Sequence, residues 1–85
     1  MANYSVRIKA SAEKELEDLP RKDRLRIIER ILKLSDNPRP PGSEKLTGAD
    51  RYRIRQGDYR ILYEIYESEI IVVVVKVGHR REVYR

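Results

Sequence analysis

The stretch Arg51-Tyr52-Arg53-Ile54-Arg55-Gln56-Gly57-Asp58-Tyr59-Arg60 decides how the chain folds. Arginines at 51, 53 and 55 alternate with Tyr52 and Ile54, the period of a strand with one wet and one buried face. Gln56-Gly57-Asp58 breaks the alternation and predicts a turn, with Gly57 free to take a positive φ. Beyond it, Tyr59, Ile61, Tyr63 and Ile65 share one face of a second strand, and Arg60, Leu62, Glu64 and Tyr66 share the other. If the aromatic and isoleucine series faces the core, Arg60 joins the arginine side, and one surface of the hairpin collects four cations.

Working outward, Tyr4, Val6 and Ile8 alternate with Ser5, Arg7 and Lys9, the pattern of a half-buried first strand. Ser11 is placed to cap a short helix whose inward stripe is Ala12, Leu16 and Leu19, and Pro20 stops it. From Arg21 to Ser35, two apolar rows (Leu25, Ile28, Leu32 and Ile27, Ile31, Leu34) give a longer amphipathic helix. Asp36 to Ser43 holds three of the four prolines and predicts a stiff connector within one domain spanning residues 1–85. Ile70 to Val75 is β-branched or apolar throughout, as in a central strand covered on both faces. Regular alternation puts Lys76 on the same face as Ile70, Val72 and Val74. The order strand, helix hairpin, strand meander is α+β, with both helices on one face of an antiparallel sheet. The other face is expected to be a shallow, open surface carrying Arg53, Arg55, Arg60, Leu62, Tyr66 and Lys76.

Charge and composition limit what such a surface serves. Nineteen basic residues against fourteen acidic ones give a net charge of +5 and a pI near 9.7. The basic excess is local: residues 51–60 hold four basic side chains and one acidic, and His79, Arg80, Arg81 and Arg85 follow the long apolar strand. A basic, partly aromatic sheet face can hold single-stranded nucleic acid, because guanidiniums fork onto phosphates and rings stack on bases. Solvated arginines paired with Glu64, Glu67 and Glu69 are the competing reading. There is no cysteine and one histidine, so no disulfide framework, thiolate site or zinc site is expected, and no cofactor is implied. The longest uncharged apolar run is too short to span a bilayer, so no membrane association and a cytoplasmic location are expected.

Lys45-Leu46 with Gly48, then Tyr52-Arg53-Ile54-Arg55, Gly57 to Tyr63, and Val77-Gly78-His79-Arg80-Arg81-Glu82-Val83-Tyr84 together resemble the RelE toxins of the RelE/ParE superfamily. The resemblance covers nearly the whole chain. It implies the toxin of a type II toxin–antitoxin system, a metal-independent endoribonuclease that cuts mRNA in the ribosomal A site. In that family the ribose 2′-oxygen attacks the adjacent phosphate and leaves a 2′,3′-cyclic phosphate. The implied partners are mRNA on the ribosome and a cognate antitoxin with an acidic amphipathic segment.

Carried onto this chain, the resemblance makes Arg53, Arg55, Arg60, Arg80 and Tyr84 catalytic or substrate-positioning residues, with Arg80 as acid and Tyr84 as stacking platform. Arg51, Lys45, Arg81 and Tyr66 are expected to bind RNA around them. Arg55 stands where a lysine-bearing member places its base, and a guanidinium is a poor proton acceptor. Either Arg55 acts electrostatically, or His79, the one side chain of its type suited to acid–base work near neutrality, takes the proton. The alternatives are a ParE-like toxin that inhibits DNA gyrase without chemistry, and a catalytically inactive RNA-binding module.

Overall fold

The alternating arginine stretch becomes the centre of a five-stranded sheet, in a computed structural model that describes residues 3–46 and 50–79. β3 (Arg51–Gln56) and β4 (Tyr59–Tyr66) pair antiparallel from Arg51↔Glu64 to Gln56↔Tyr59. Gly57, at φ +60°, takes the first central position of the two-residue turn between them. That is the conformation a type II′ hairpin turn asks of glycine. β2 (Glu44–Lys45) adds two residues to the outer edge of β3, and β5 (Ile71–His79) pairs antiparallel with the other side of β4.

β1 (Ser5–Ile8) completes the order β1-β5-β4-β3-β2 and runs parallel to β5, from Ser5↔Ile71 to Ile8↔Val74. The sheet is therefore mixed, with the expected antiparallel meander as its larger part. A parallel partner requires a crossover, and the two helices supply it. α1 (Ala10–Glu17) starts one residue before the expected cap: Lys9 donates its N–H to the Val74 carbonyl at 2.9 Å, so the chain leaves the strand there and Ser11 falls inside the first turn. α2 (Arg21–Leu32) begins just after Pro20, whose carbonyl accepts the Arg24 N–H, and ends in a 3₁₀ turn, Lys33–Ser35.

Both helices contribute to one core with the same sheet face: Ala12 and Leu16, Ile27, Ile31 and Leu34, then Ile54, Ile61, Tyr63, Ile65, Val72, Val74 and Val77. Of the two apolar rows on α2, only Ile27, Ile31 and Leu34 are fully covered. Leu25 and Leu32 are 52% and 60% exposed, because a helix on a single sheet offers one stripe to the core.

β5 departs from regular alternation. Tyr63 lies opposite Val74 and Leu62 opposite Lys76, so Val75 is an extra residue, a β-bulge. Past it the phase reverses: Val77 is buried in the core, and Lys76 moves to the face opposite that of Val72 and Val74.

The proline connector is fastened to the sheet. Tyr63 donates its hydroxyl to the Pro38 carbonyl at 2.7 Å, and burial pushes this phenol up to about 12. Arg39 lies over the Tyr52 ring at 5.3 Å, donates to the Tyr52 hydroxyl and pairs with Glu67, which also accepts from Tyr4. Tyr52 in turn stacks on Tyr63, 5.8 Å between centroids. The clasp ties the connector to β1, β3 and the β4–β5 turn.

Candidate functional site

Residues directly opposite each other in an antiparallel pair share a face. Arg53↔Leu62, Arg55↔Arg60, Arg60↔Gly78, Leu62↔Lys76 and Glu44↔Arg53 therefore set Arg53, Arg55, Arg60 and Lys76 on the outer face, with Leu62 at the centre and Glu44 at the edge. This face is not the open surface expected. Arg60 is only 5% exposed and Leu62 8%, and the Arg53 side chain is 13% exposed. The stems of Arg53 and Lys76 flank Leu62 on both sides, which covers an apolar residue while leaving charged heads at the rim. Arg60 has the backbone of Gly78 on one flank and Arg55 on the other.

Arg55 and Arg60 are like charges directly across a strand pair, an arrangement that costs stability unless an anion offsets it. The low-dielectric surroundings of Arg60 strengthen the field any bound anion would meet. Arg53 reaches the Glu44 carboxylate at 3.2 Å. Glu44 was not singled out from the sequence: a two-residue strand is too short to show alternation, so only the register reveals its face.

Other expected site residues lie elsewhere. Arg51 donates to Glu64 at 2.9 Å and Tyr66 donates to the same carboxylate at 2.8 Å. The Tyr66 hydroxyl and then Arg51 hold the Glu64 carboxyl below its usual range. This group shares the outer face, but Tyr66 is six residues along β4 from Arg60, about 20 Å at strand rise. Lys45 lies opposite Tyr52 and so belongs to the helix side. Glu67 pairs with Arg39 rather than with an arginine of the hairpin.

His79 is also on the helix side. It lies opposite Tyr59, and the rings meet edge to face at 6.0 Å between centroids. The Tyr59 hydroxyl donates to Asp23 of α2 at 2.9 Å, a bond that raises the phenol's pKa. These side chains, with Arg26, Gln56, Gly57 and Asp58, line a cavity of about 260 Å³. The bulge at Val75 is the cause: in a regular strand His79 would sit on the face opposite Val72 and Val74, beside the arginines. Arg80, Arg81 and Tyr84 lie outside the described residues, as does Gly48. Among the described residues, no three acidic or histidine side chains are placed to hold a metal ion, and no helix is long and apolar enough to cross a membrane.

Residues 6–84 match the family described as the ParE toxin of the type II toxin–antitoxin system parDE. The chain is 33% identical over 86 residues to toxin RelG of Mycobacterium tuberculosis, covering 96% of this chain and 97% of that protein. The chain belongs to the RelE/ParE toxin superfamily. Its similarity to solved structures falls on the RelE side. The M. tuberculosis toxin–antitoxin complex RelBE2 gives a TM-score of 0.85 at 31% identity, over 94% of both chains. The archaeal RelE–RelB complex from Pyrococcus horikoshii gives 0.83 at 31% identity, over 94% of this chain and 97% of that one. This RelE-type toxin thus combines the expected fold with an outer face that brings Arg53, Arg55 and Arg60 together with Glu44 at one end.

Proposed function

We propose that this RelE-type toxin is a metal-independent endoribonuclease that cuts mRNA in the ribosomal A site, and that a cognate antitoxin silences it. The observation that carries the reading is the cross-strand pair Arg55 and Arg60, with Arg60 almost removed from water. Preorganised cations in a poorly solvated site act most strongly where negative charge develops, which in this reaction is the pentacoordinate phosphorus.

In the proposed reaction the 2′-oxygen bonds to phosphorus, its proton passes to a base, and the phosphorus–O5′ bond breaks as O5′ takes a proton. The products are a 2′,3′-cyclic phosphate and a 5′-hydroxyl. Arg53, Arg55 and Arg60 bind the phosphate oxygens. Glu44, oriented by Arg53, is the proton acceptor on this face, a role for which guanidinium is unsuited. Arg80 and Tyr84 keep the roles of proton donor and stacking platform, and Arg51, Arg81 and Tyr66 extend RNA binding at the periphery. An acidic amphipathic antitoxin segment fits a face with this excess of arginine.

Mapping RNA ends after brief induction tests the reading. New cyclic-phosphate ends inside coding regions are expected. DNA breaks with intact mRNA would instead identify a gyrase inhibitor, and neither change an inactive binding module.

A further inference from the structure

The arginine face does not stop at the sheet edge. β2 reaches only as far as Glu44, opposite Arg53, so the outer edge of β3 beyond that point is not covered by β2. There Arg55 meets Arg30 of α2 and the Gly42–Glu44 segment around a cleft of about 420 Å³. Arg55 is exposed and Arg30 half-buried. Among the described residues, no carboxylate lies within ion-pairing distance of either guanidinium. The one carboxylate lining the cleft, Glu44, is already engaged by Arg53. The cleft thus presents two cations, in a concavity continuous with the outer face through Arg55 and Glu44.

We propose that this cleft is a second anion subsite, in which Arg30, across the cleft from the Arg55 that serves the scissile phosphate, binds a phosphodiester of the RNA flanking the one that is cut. The inference rests on the endoribonuclease reading and adds Arg30, which that reading does not use. The chemistry fits: a guanidinium presents a planar fork that matches two phosphate oxygens. Held at two phosphates on either side of the β3 edge, the RNA would bend around that edge and reach the reaction centre in a defined direction. Binding energy from a remote phosphate then serves orientation at the reacting one.

The test is binding of an uncleavable single-stranded RNA, a 12-mer with 2′-O-methyl riboses, from 50 to 200 mM salt, beside a dinucleotide with a single phosphodiester. Each phosphate contact to a single strand contributes about 0.7 to the log–log salt slope. Arg30→Ala should lower the 12-mer slope by about that amount and weaken binding about fivefold at 0.1 M salt, while leaving dinucleotide binding unchanged. Lys22→Ala, which removes an exposed cation of the same helix away from the cleft, should leave both unchanged. If Arg60→Ala lowers the slope and Arg30→Ala does not, the subsite is absent while the nuclease reading stands. If Lys22→Ala lowers the slope as much as Arg30→Ala, the effect is the general field of the protein and the subsite is again refuted. A wild-type slope near zero would remove the nuclease reading itself.

Discussion

The carboxylate of Glu15 in α1 accepts the backbone N–H of Val77 at 2.9 Å, at the point where β1 has ended and no longer covers β5. Its second oxygen pairs with Lys76 at 3.2 Å. A helix side chain thus takes the place of a missing strand, satisfying a donor and closing an edge on which another chain could pair. Glu15→Ala should destabilise the fold by about 1–2 kcal/mol, the cost of leaving a partly buried donor unmade. Glu15→Gln keeps an acceptor and should recover most of the loss. Denaturant unfolding of the three proteins measures both. Equal stability of wild type and Glu15→Ala would show that water serves as well.

Ile70 has a φ of +55°, a left-handed conformation in which a β-branched residue is strained by about 1–2 kcal/mol. It is held there because its carbonyl accepts the Ser5 N–H, tying the β4–β5 turn to β1. Ile70→Gly should raise stability by about 1 kcal/mol after the extra entropy of unfolded glycine is subtracted. A fall in the unfolding midpoint would mean that apolar contacts of Ile70 outweigh its backbone strain.

Tyr63 and the two hydrogen-bonded carboxylates give opposite pH limbs. The phenol, raised to about 12 in the fold, stays protonated there while the unfolded chain ionises near 10. Its contribution is complete below pH 10 and is lost as pH rises to 12, about 2–3 kcal/mol in all. Tyr63→Phe should be less stable at neutrality and should lack that component of the alkaline loss. Glu64 and Glu67 are depressed instead, Glu67 by the Tyr4 hydroxyl first and Arg39 second. They stabilise the fold above the unfolded carboxylate range, and that support fades as pH falls through their lower folded values. Thermal unfolding against pH from 2.5 to 12 reads both limbs.

Glu44 and His79 make opposite predictions for catalysis. If Glu44 accepts the 2′-hydroxyl proton, Glu44→Gln should reduce single-turnover cleavage on ribosomes by about 10²-fold or more while leaving RNA affinity in place. His79→Ala should cleave at the wild-type rate, because the imidazole lies on the other side of the sheet. A large loss in His79→Ala, with Glu44→Gln active, would show that the histidine reaches the reacting phosphate and would overturn this assignment.

These contrasts show which parts of the molecule could be read from the chain. Alternation in Arg51–Arg60 and Tyr59–Tyr66 carries its own phase, since arginine or tyrosine marks every other position, and the hairpin and its faces follow. Ile71 to Val75 carries none: five β-branched residues look the same in either phase, so the bulge leaves no trace in the pattern, and only the register shows Lys76 on the outer face and His79 on the helix side. α2 posed the same difficulty at helical period, with two equally apolar rows of which the core takes one. The burial of Arg60 and the position of Glu44 depend on register between paired strands, which composition does not encode.

The parallel pairing of β1 with β5 also carries a consequence for biosynthesis. Ser5 and Ile71, which are partners, are separated by 66 positions, so the first strand to be made waits for nearly the last. At typical elongation rates of about 5–20 residues per second, that interval is about 3–13 s. The β3–β4 hairpin is finished at Tyr66, only five positions before Ile71, so its arginines can pair shortly before the adjoining strand β5, which backs Arg60 through Gly78, is made. A nascent toxin molecule thus first holds its arginines without the enclosure that concentrates their field, and the assembled face arises only once β5 has been made.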